Sequence, residues 1–158
     1  MLACEFHSSK SIAKGTALLC SARDAGYITS QEHGLILFFL NERCATRESF
    51  GEALFMTYAS VLTHARKMQY VSRPWYELGY TDILAMVNEY KFGGQRLLAP
   101  DGRVVQTGKM YARNTLNTIL KKIRVFLCWL SARGNLDVPE SEIRKIQVPT
   151  YKPRELKS

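Results

Sequence analysis

The sequence predicts an all-α fold of four or five helices, with one small hairpin or ordered loop near residues 95–107. Three observations carry this. Apolar residues recur at three- and four-residue spacing in several separate windows, the period of one helix face. Capping residues stand ahead of most of these windows, and glycine or proline stands behind them. Only LLAPDGRVVQ, at 97–106, sets two short apolar runs around a proline–aspartate–glycine turn signal.

The elements follow in order. Residues 12–25 read as a first helix with Ala17, Leu18, Leu19 and Ala22 inward; Gly15 weakens it and Gly26 ends it in a left-handed cap. Thr29 opens a capping box with Glu32, and the helix behind it runs to about Cys44. Its centre, LILFFL, is apolar on every side and so is expected as a central core helix. A third helix is expected from Thr46 or Ser49, where S-F-G-E repeats the capping-box pattern. Leu54, Tyr58, Val61, Leu62 and Ala65 form its face, and it should reach about Tyr70 ahead of Pro74. Thr81 caps a short helix with Ile83, Leu84, Val87 and Tyr90 inward, stopped by Gly93 and Gly94. After the 95–112 segment, Asn114 is the expected N-cap of a long helix. Its inward stripe is Leu116, Ile119, Leu120, Ile123, Leu127 and Leu130, and Arg133 and Gly134 finish it. A short SEIRKI helix returns Ile143 and Ile146 to the core. The tail VPTYKPRELKS reads as a linker that has left the domain.

At 158 residues one domain is the default, and 46% apolar content excludes wholesale disorder. The N-terminus lacks a basic-then-apolar signal layout. The longest apolar run, Leu35 to Leu40, falls far short of the roughly 20 residues that span a bilayer. A soluble, cytoplasmic protein is expected, with no membrane partner. Cys4, Cys20, Cys44 and Cys128 are scattered without metal-clip spacing, so neither a metal site nor a disulfide scaffold is expected.

No phosphate loop, nucleophile elbow or zinc-protease motif is present, and His7, His33 and His64 are far apart. Catalysis by this chain, a cofactor and a small-molecule substrate are therefore not expected. What stands out is charge. The net charge is +8, and residues 101–158 hold 12 basic and 5 acidic groups. Lys109, Arg113, Lys121, Lys122 and Arg124 stand in a run with no acid among them, interspersed with Asn114, Thr115, Asn117 and Thr118. Lys121 points almost directly away from the inward stripe, with Lys122 and Arg124 on its flanks. Such groups neutralise phosphates and reach base edges in a major groove. Charge alone leaves nucleic acid, an acidic membrane surface or a merely solvated basic face open.

The long helix has a further pattern. Thr115, Ile123-Arg124, Phe126, Trp129-Leu130 and Gly134, followed by Ile143, Ile146 and Pro149, resemble the last helix and exit of the core-binding domain of tyrosine recombinases of the phage-integrase type. That region commonly reads T-x-N-x-x-L-x-x-L-R-x-F-x-x-W-L-x-x-x-G, then I-x-x-P-K. T-S-Q-E, then Tyr58 and Leu62 on a long helix, then T-D-I-L-A keep the family's order, so the likeness covers about residues 29–150. It departs in three places. D-V-P-E-S replaces the usual asparagine–proline after the long helix, Lys152 is displaced from the P-K position, and 93–112 is longer than many members carry.

The resemblance implies a SAM-like orthogonal bundle. Residues 1–28 would be an N-terminal helical extension, 29–148 the DNA-binding domain, and 149–158 the start of a linker to an absent catalytic domain. It implies one side of duplex DNA as partner, other recombinase protomers assembled on that DNA, and a prokaryotic or viral origin. Lys109, Arg113, Lys121, Lys122 and Arg124 would then contact phosphates and Asn117 a base. Arg144 and Lys145 would touch the backbone near the linker or stay solvated. The rival reading is a helical protein-interaction or self-association module without DNA binding. Its partner surface would be an apolar spot at Val125, opposite the inward stripe, and Trp129 at the stripe's edge.

Overall fold

The computed structural model describes residues 10–153, so Cys4, His7, the residues read for a signal and the last five residues of the tail lie outside it. The described residues are mostly helical, with six helices and one two-stranded hairpin, and the chain divides after Leu78 into two compact units.

The first unit holds α1 (Lys10–Asp24), α2 (Ser30–Thr46) and α3 (Glu52–Lys67), then a 3-10 turn at Trp75–Glu77. α1 packs chiefly on α3. Its buried face is Ile12, Gly15, Leu19 and Ala22; Ala17 is exposed and Leu18 half-buried, so the face is turned from the expected one. Gly15 decides this. A Cβ there would sit 2.8 Å from the Phe55 ring and 3.6 Å from Ala59 Cβ, so glycine lets the helices approach. Residues 10–24, expected as an extension, thus share the core of their unit.

The capping box at α2 forms: Thr29 Oγ1 accepts from the Glu32 amide at 3.0 Å, and Glu32 Oε1 accepts from the Thr29 amide at 2.8 Å. Glu32 does more than cap. Its carboxylate, 0% exposed, also accepts from Arg66 Nε at 2.9 Å, Arg66 NH2 at 3.0 Å and the Trp75 amide at 3.0 Å. That many donors make burial of the charge tolerable. The middle of α2 is not buried on every side. Ile36, Phe39 and Leu40 face inward while Phe38 is exposed.

α3 begins behind Gly51, not at Ser49. Residues 47–50 form a turn, with the Phe50 amide donating to the Arg47 carbonyl at 3.1 Å, and the Phe50 ring lies 5.5 Å from that of Tyr58. Its core face is Phe55, Tyr58, Ala59, Leu62 and Ala65, with Leu54 and Val61 half-buried. The helix ends before Pro74 for a local reason. Gln69 takes φ +60°, and the amides of Gln69 and Tyr70 donate to the carbonyls of Arg66 and Ala65. This is the Schellman cap that glycine usually supplies.

The second unit starts with α4 (Tyr80–Asn88), two residues earlier than a cap at Thr81 would place it. Asp82 caps it by accepting from the Gly79 amide at 2.9 Å. Ile83, Met86, Val87 and Tyr90 are buried, while Leu84 is exposed. A wider π turn at Glu89–Gly93 and Gly94 at φ +75° end the segment. β1 (Arg96–Leu98) and β2 (Val104–Gln106) pair antiparallel, Leu97 opposite Val105, around Gly102 at φ +87°. Arg96 ties the hairpin to the π turn through Glu89 at 2.7 Å.

α5 (Arg113–Ala132) and α6 (Glu140–Ile143) complete the unit. Leu120, Ile123, Phe126, Leu127, Trp129 and Leu130 are buried, and Leu116 and Ile119 are half-buried. Gly134, at φ +76°, closes α5 with the amides of Gly134 and Asn135 on the carbonyls of Ser131 and Leu130. Ser131 Oγ donates to the Val138 carbonyl at 2.6 Å, holding the turn that brings Leu136, Val138, Ile143 and Ile146 inward.

Candidate nucleic-acid interface

A helix face recurs every three or four residues, so Arg113, Asn114, Asn117, Lys121 and Arg124 lie along one side of α5. This is the polar side left over once the apolar stripe is buried. The structure gives it an occupant that sequence reading missed. Residues 146–152 lie along it as a strap running antiparallel to the helix. Arg124 NH1 donates to the Ile146 carbonyl at 3.1 Å, Asn117 Nδ2 to the Pro149 carbonyl at 2.7 Å, and Arg113 Nε to the Thr150 carbonyl at 2.7 Å. Asn114 grips both polar groups of Lys152: its Nδ2 donates to the carbonyl at 2.7 Å and its Oδ1 accepts from the amide at 2.8 Å. Asn114 is therefore a clamp for the strap. The N-cap position of α5 falls to Ala112, which has no capping side chain.

The signal for this strap lay in two places at once. Proline supplies a carbonyl but no N–H, so Pro149 cannot join a β ladder and still accepts a hydrogen bond. Asparagine and arginine at helical spacing supply the matching donors. Neither half means anything without knowing that the chain turns back at Gly134.

Between strap and helix lies a cleft of about 420 Å³. Its charged lining is Lys121, Arg124 and Arg144, with no carboxylate; the strap supplies Ile146, Gln147, Val148, Pro149, Thr150 and Tyr151, and α5 adds Asn117. Lys121 is exposed. Arg124 is half-buried and spends one donor on Ile146, out of the five a guanidinium carries. Arg144 pairs with Glu140 at 2.9 Å, outside the lining, and that hydrogen bond holds its pKa above the ordinary arginine value.

The remaining expected contacts lie elsewhere in the unit. Lys122 is half-buried, and burial, followed by the charge of Lys121, lowers its pKa. Lys145 is exposed and pairs with Glu142 at 3.2 Å. Lys109 is exposed at the exit of the hairpin, where its carbonyl accepts from the Gln95 amide at 2.8 Å. The structure thus brings Asn117, Lys121, Arg124 and Arg144 together, with Arg113 at the end of the same helix face. It does not bring Lys109, Lys122 or Lys145 into that cleft. Asn117, expected at a base, has its amide on Pro149.

The apolar spot expected at Val125 and Trp129 is largely closed. Val125 is half-buried, Trp129 is buried, and the Arg133 guanidinium lies 4.9 Å from the Trp129 ring centroid.

Other chemistry is sparse among the described residues. Cys20 Sγ and His33 Nε2 are 3.7 Å apart, and His64 stacks on Tyr70 at 6.2 Å. Among the described residues no three His, Cys, Asp or Glu side chains converge on a point where a metal could sit, and no helix there is long and apolar enough to cross a membrane. Set against models of known protein families, curated proteins and solved structures, the chain matches none.

Proposed function

We propose that this chain is the DNA-holding, non-catalytic half of an integrase-like tyrosine recombinase, a SAM-like helical module that grips one side of duplex DNA. One observation carries the reading. Lys121, Arg124 and Arg144 meet at a single cleft lined by no carboxylate, in a unit whose sequence holds 14 basic and 7 acidic residues. A concentrated positive surface of that kind suits a polyanion. The recombinase-like pattern supports it: Ile123, Phe126, Trp129 and Leu130 are core residues, and Gly134 is the left-handed stop. In this reading the phosphate contacts come from Lys109, Lys121, Lys122, Arg124, Arg144 and Lys145. Arg113 and Asn117 serve first to hold the strap. Other recombinase protomers would join on the same DNA.

The test is a duplex DNA titration at several salt concentrations. Each neutralised phosphate contributes a slope of about −0.9 in log affinity against log salt. The Lys121→Ala, Lys122→Ala double variant should bind more weakly with a slope shallower by one to two such increments. Binding equal to the parent at every salt concentration would show that this face is not the one used. Phe92, 76% exposed, with Leu97 and Met110 also exposed, favours the rival self-association module at a different surface. Salt-insensitive dimerisation without DNA binding, read by sedimentation, would select it.

A further inference from the structure

We infer that the open edge of β2 pairs with the same edge of a second copy of this chain, joining two hairpins into one antiparallel sheet. This goes beyond the DNA reading and does not rest on it.

The ladder itself shows which backbone groups are left over. Along an antiparallel strand, residues alternate between those that exchange bonds with the neighbour and those whose amide and carbonyl point away from it. The Thr107 amide donates to the Gln95 carbonyl at 3.0 Å and the Ala99 amide to the Arg103 carbonyl at 2.8 Å, with Leu97 opposite Val105 midway between them. Leu97 and Val105 are therefore in the bonded phase, and Val104 and Gln106 turn their amides and carbonyls outward. The backbone of neither has a partner among the described residues. β1 is the strand that is tied down, through Arg96 to Glu89. The β2 segment, V-V-Q, holds no lysine, proline or other charge of the kind that blunts an edge. The two faces of the hairpin also differ. Arg96 reaches Glu89, and Gln106 Nε2 lies 3.4 Å from where a Cβ on Gly93 would stand, so their face is turned to the π turn. Leu97, 47% exposed, and half-buried Val105 share the other face.

A second copy fits this edge because the edge complements itself. With a two-fold axis at Val105, Val104 of each copy faces Gln106 of the other, and both outward residues enter bonded pairs. Val105 meets its own counterpart. Leu97 and Val105 of the two copies then form one apolar row across the outer face of the joined sheet. Charge permits the register. Arg103 falls opposite Thr107, and the turn carrying Asp101 lies beside exposed Lys109 at the exit of the other hairpin, so no like charges meet. The same edge is used on both copies, so association closes at a dimer. A hairpin of two strands is marginal alone and gains from added strands. The contact is small, which places the dimer in the weak, transient class.

The experiment is sedimentation of the full chain from micromolar to millimolar concentration, where a monomer–dimer equilibrium is expected. Gln106→Pro removes an outward amide and leaves the bonds to β1 in place, so it blocks the edge without taking the hairpin apart. Its dimer dissociation constant should rise about tenfold or more. A second set of variants keeps the backbone unchanged. Val105→Lys and Val105→Glu each set like charges against one another across the axis, and each should be monomeric at concentrations where the parent pairs. Mixed in equal amounts, the two should associate again, because opposite charges now meet. Recovery in the mixture cannot come from misfolded protein. A parent that stays monomeric to millimolar concentration would overturn the pairing. So would a dimer that all three variants leave unchanged, or a Lys and Glu mixture that fails to recover. No sample contains DNA, so failure here leaves the DNA reading to its own salt titration.

Discussion

Single residues in this chain do more than their local pattern announces. Glu32 is legible as the third residue of a capping box, and it is one. Its pairing with Arg66 and the Trp75 amide, 34 and 43 residues on, is not legible, because it depends on how three segments pack. Gly15 reads as a flaw in a helix and is in fact the contact point with Phe55. Gln69 gave no sign of its left-handed backbone. A side chain at φ +60° carries a steric cost that glycine avoids. Gln69→Gly should therefore raise stability by about 0.5–1 kcal/mol in chemical denaturation, where most glycine substitutions lower it. Histidine sets the pH response. Burial, and then the charge of Lys67, pushes His64 below its ordinary value of 6.5; burial and then Arg23 do the same for His33. The folded chain thus resists a proton that the unfolded chain accepts. Stability from these groups is complete above about pH 6.5 and is lost as pH falls through the lowered folded values. The denaturation midpoint should drop between about pH 7.5 and 5.5, and by less in a His64→Gln variant.

Elements were more legible than their junctions. Helix periodicity located all the long helices, because an apolar stripe is a property of one segment. The P-D-G turn located the hairpin for the same reason. Ser49, Thr81 and Asn114 do not cap their helices, although each side chain is a good cap in isolation. Ser49 sits inside a turn that delays α3, α4 starts one residue before Thr81, and the strap takes Asn114. The candidate site was half legible. The basic side of α5 is visible in sequence, whereas the strap that shapes it requires a pairing across some 30 residues. This docking predicts a proteolytic signature. Trypsin cleavage after Lys145 should be slow in the parent. It should be about tenfold faster in the Asn114→Ala, Asn117→Ala variant, given roughly 1 kcal/mol for each of one or two effective hydrogen bonds lost.

On the scale of the whole molecule the charge is divided as sharply as the structure. Residues 1–78 carry 8 basic and 7 acidic groups, and residues 79–158 carry 14 and 7. If the second unit alone supplies the phosphate contacts, charge reversal in the first should not change the number of counterions released. Lys10→Glu, Lys14→Glu, both exposed on α1, should leave the slope of log DNA affinity against log salt unchanged, while the Lys121, Lys122 pair lowers it. A parallel loss of slope in both variants would place contacts on the first unit too.

Beyond Ile146, which is buried, the strap is gripped by its main chain, so its side chains there are open to exchange. Gln147, Val148, Thr150 and Tyr151 are positions at which the cleft's chemistry can be rewritten without disturbing the donors on α5 that hold it. Lys, Asp or Trp at Gln147 would meet the same frame. That makes the strap an interchangeable insert: what the cleft prefers can change quickly while the helix beneath it stays the same.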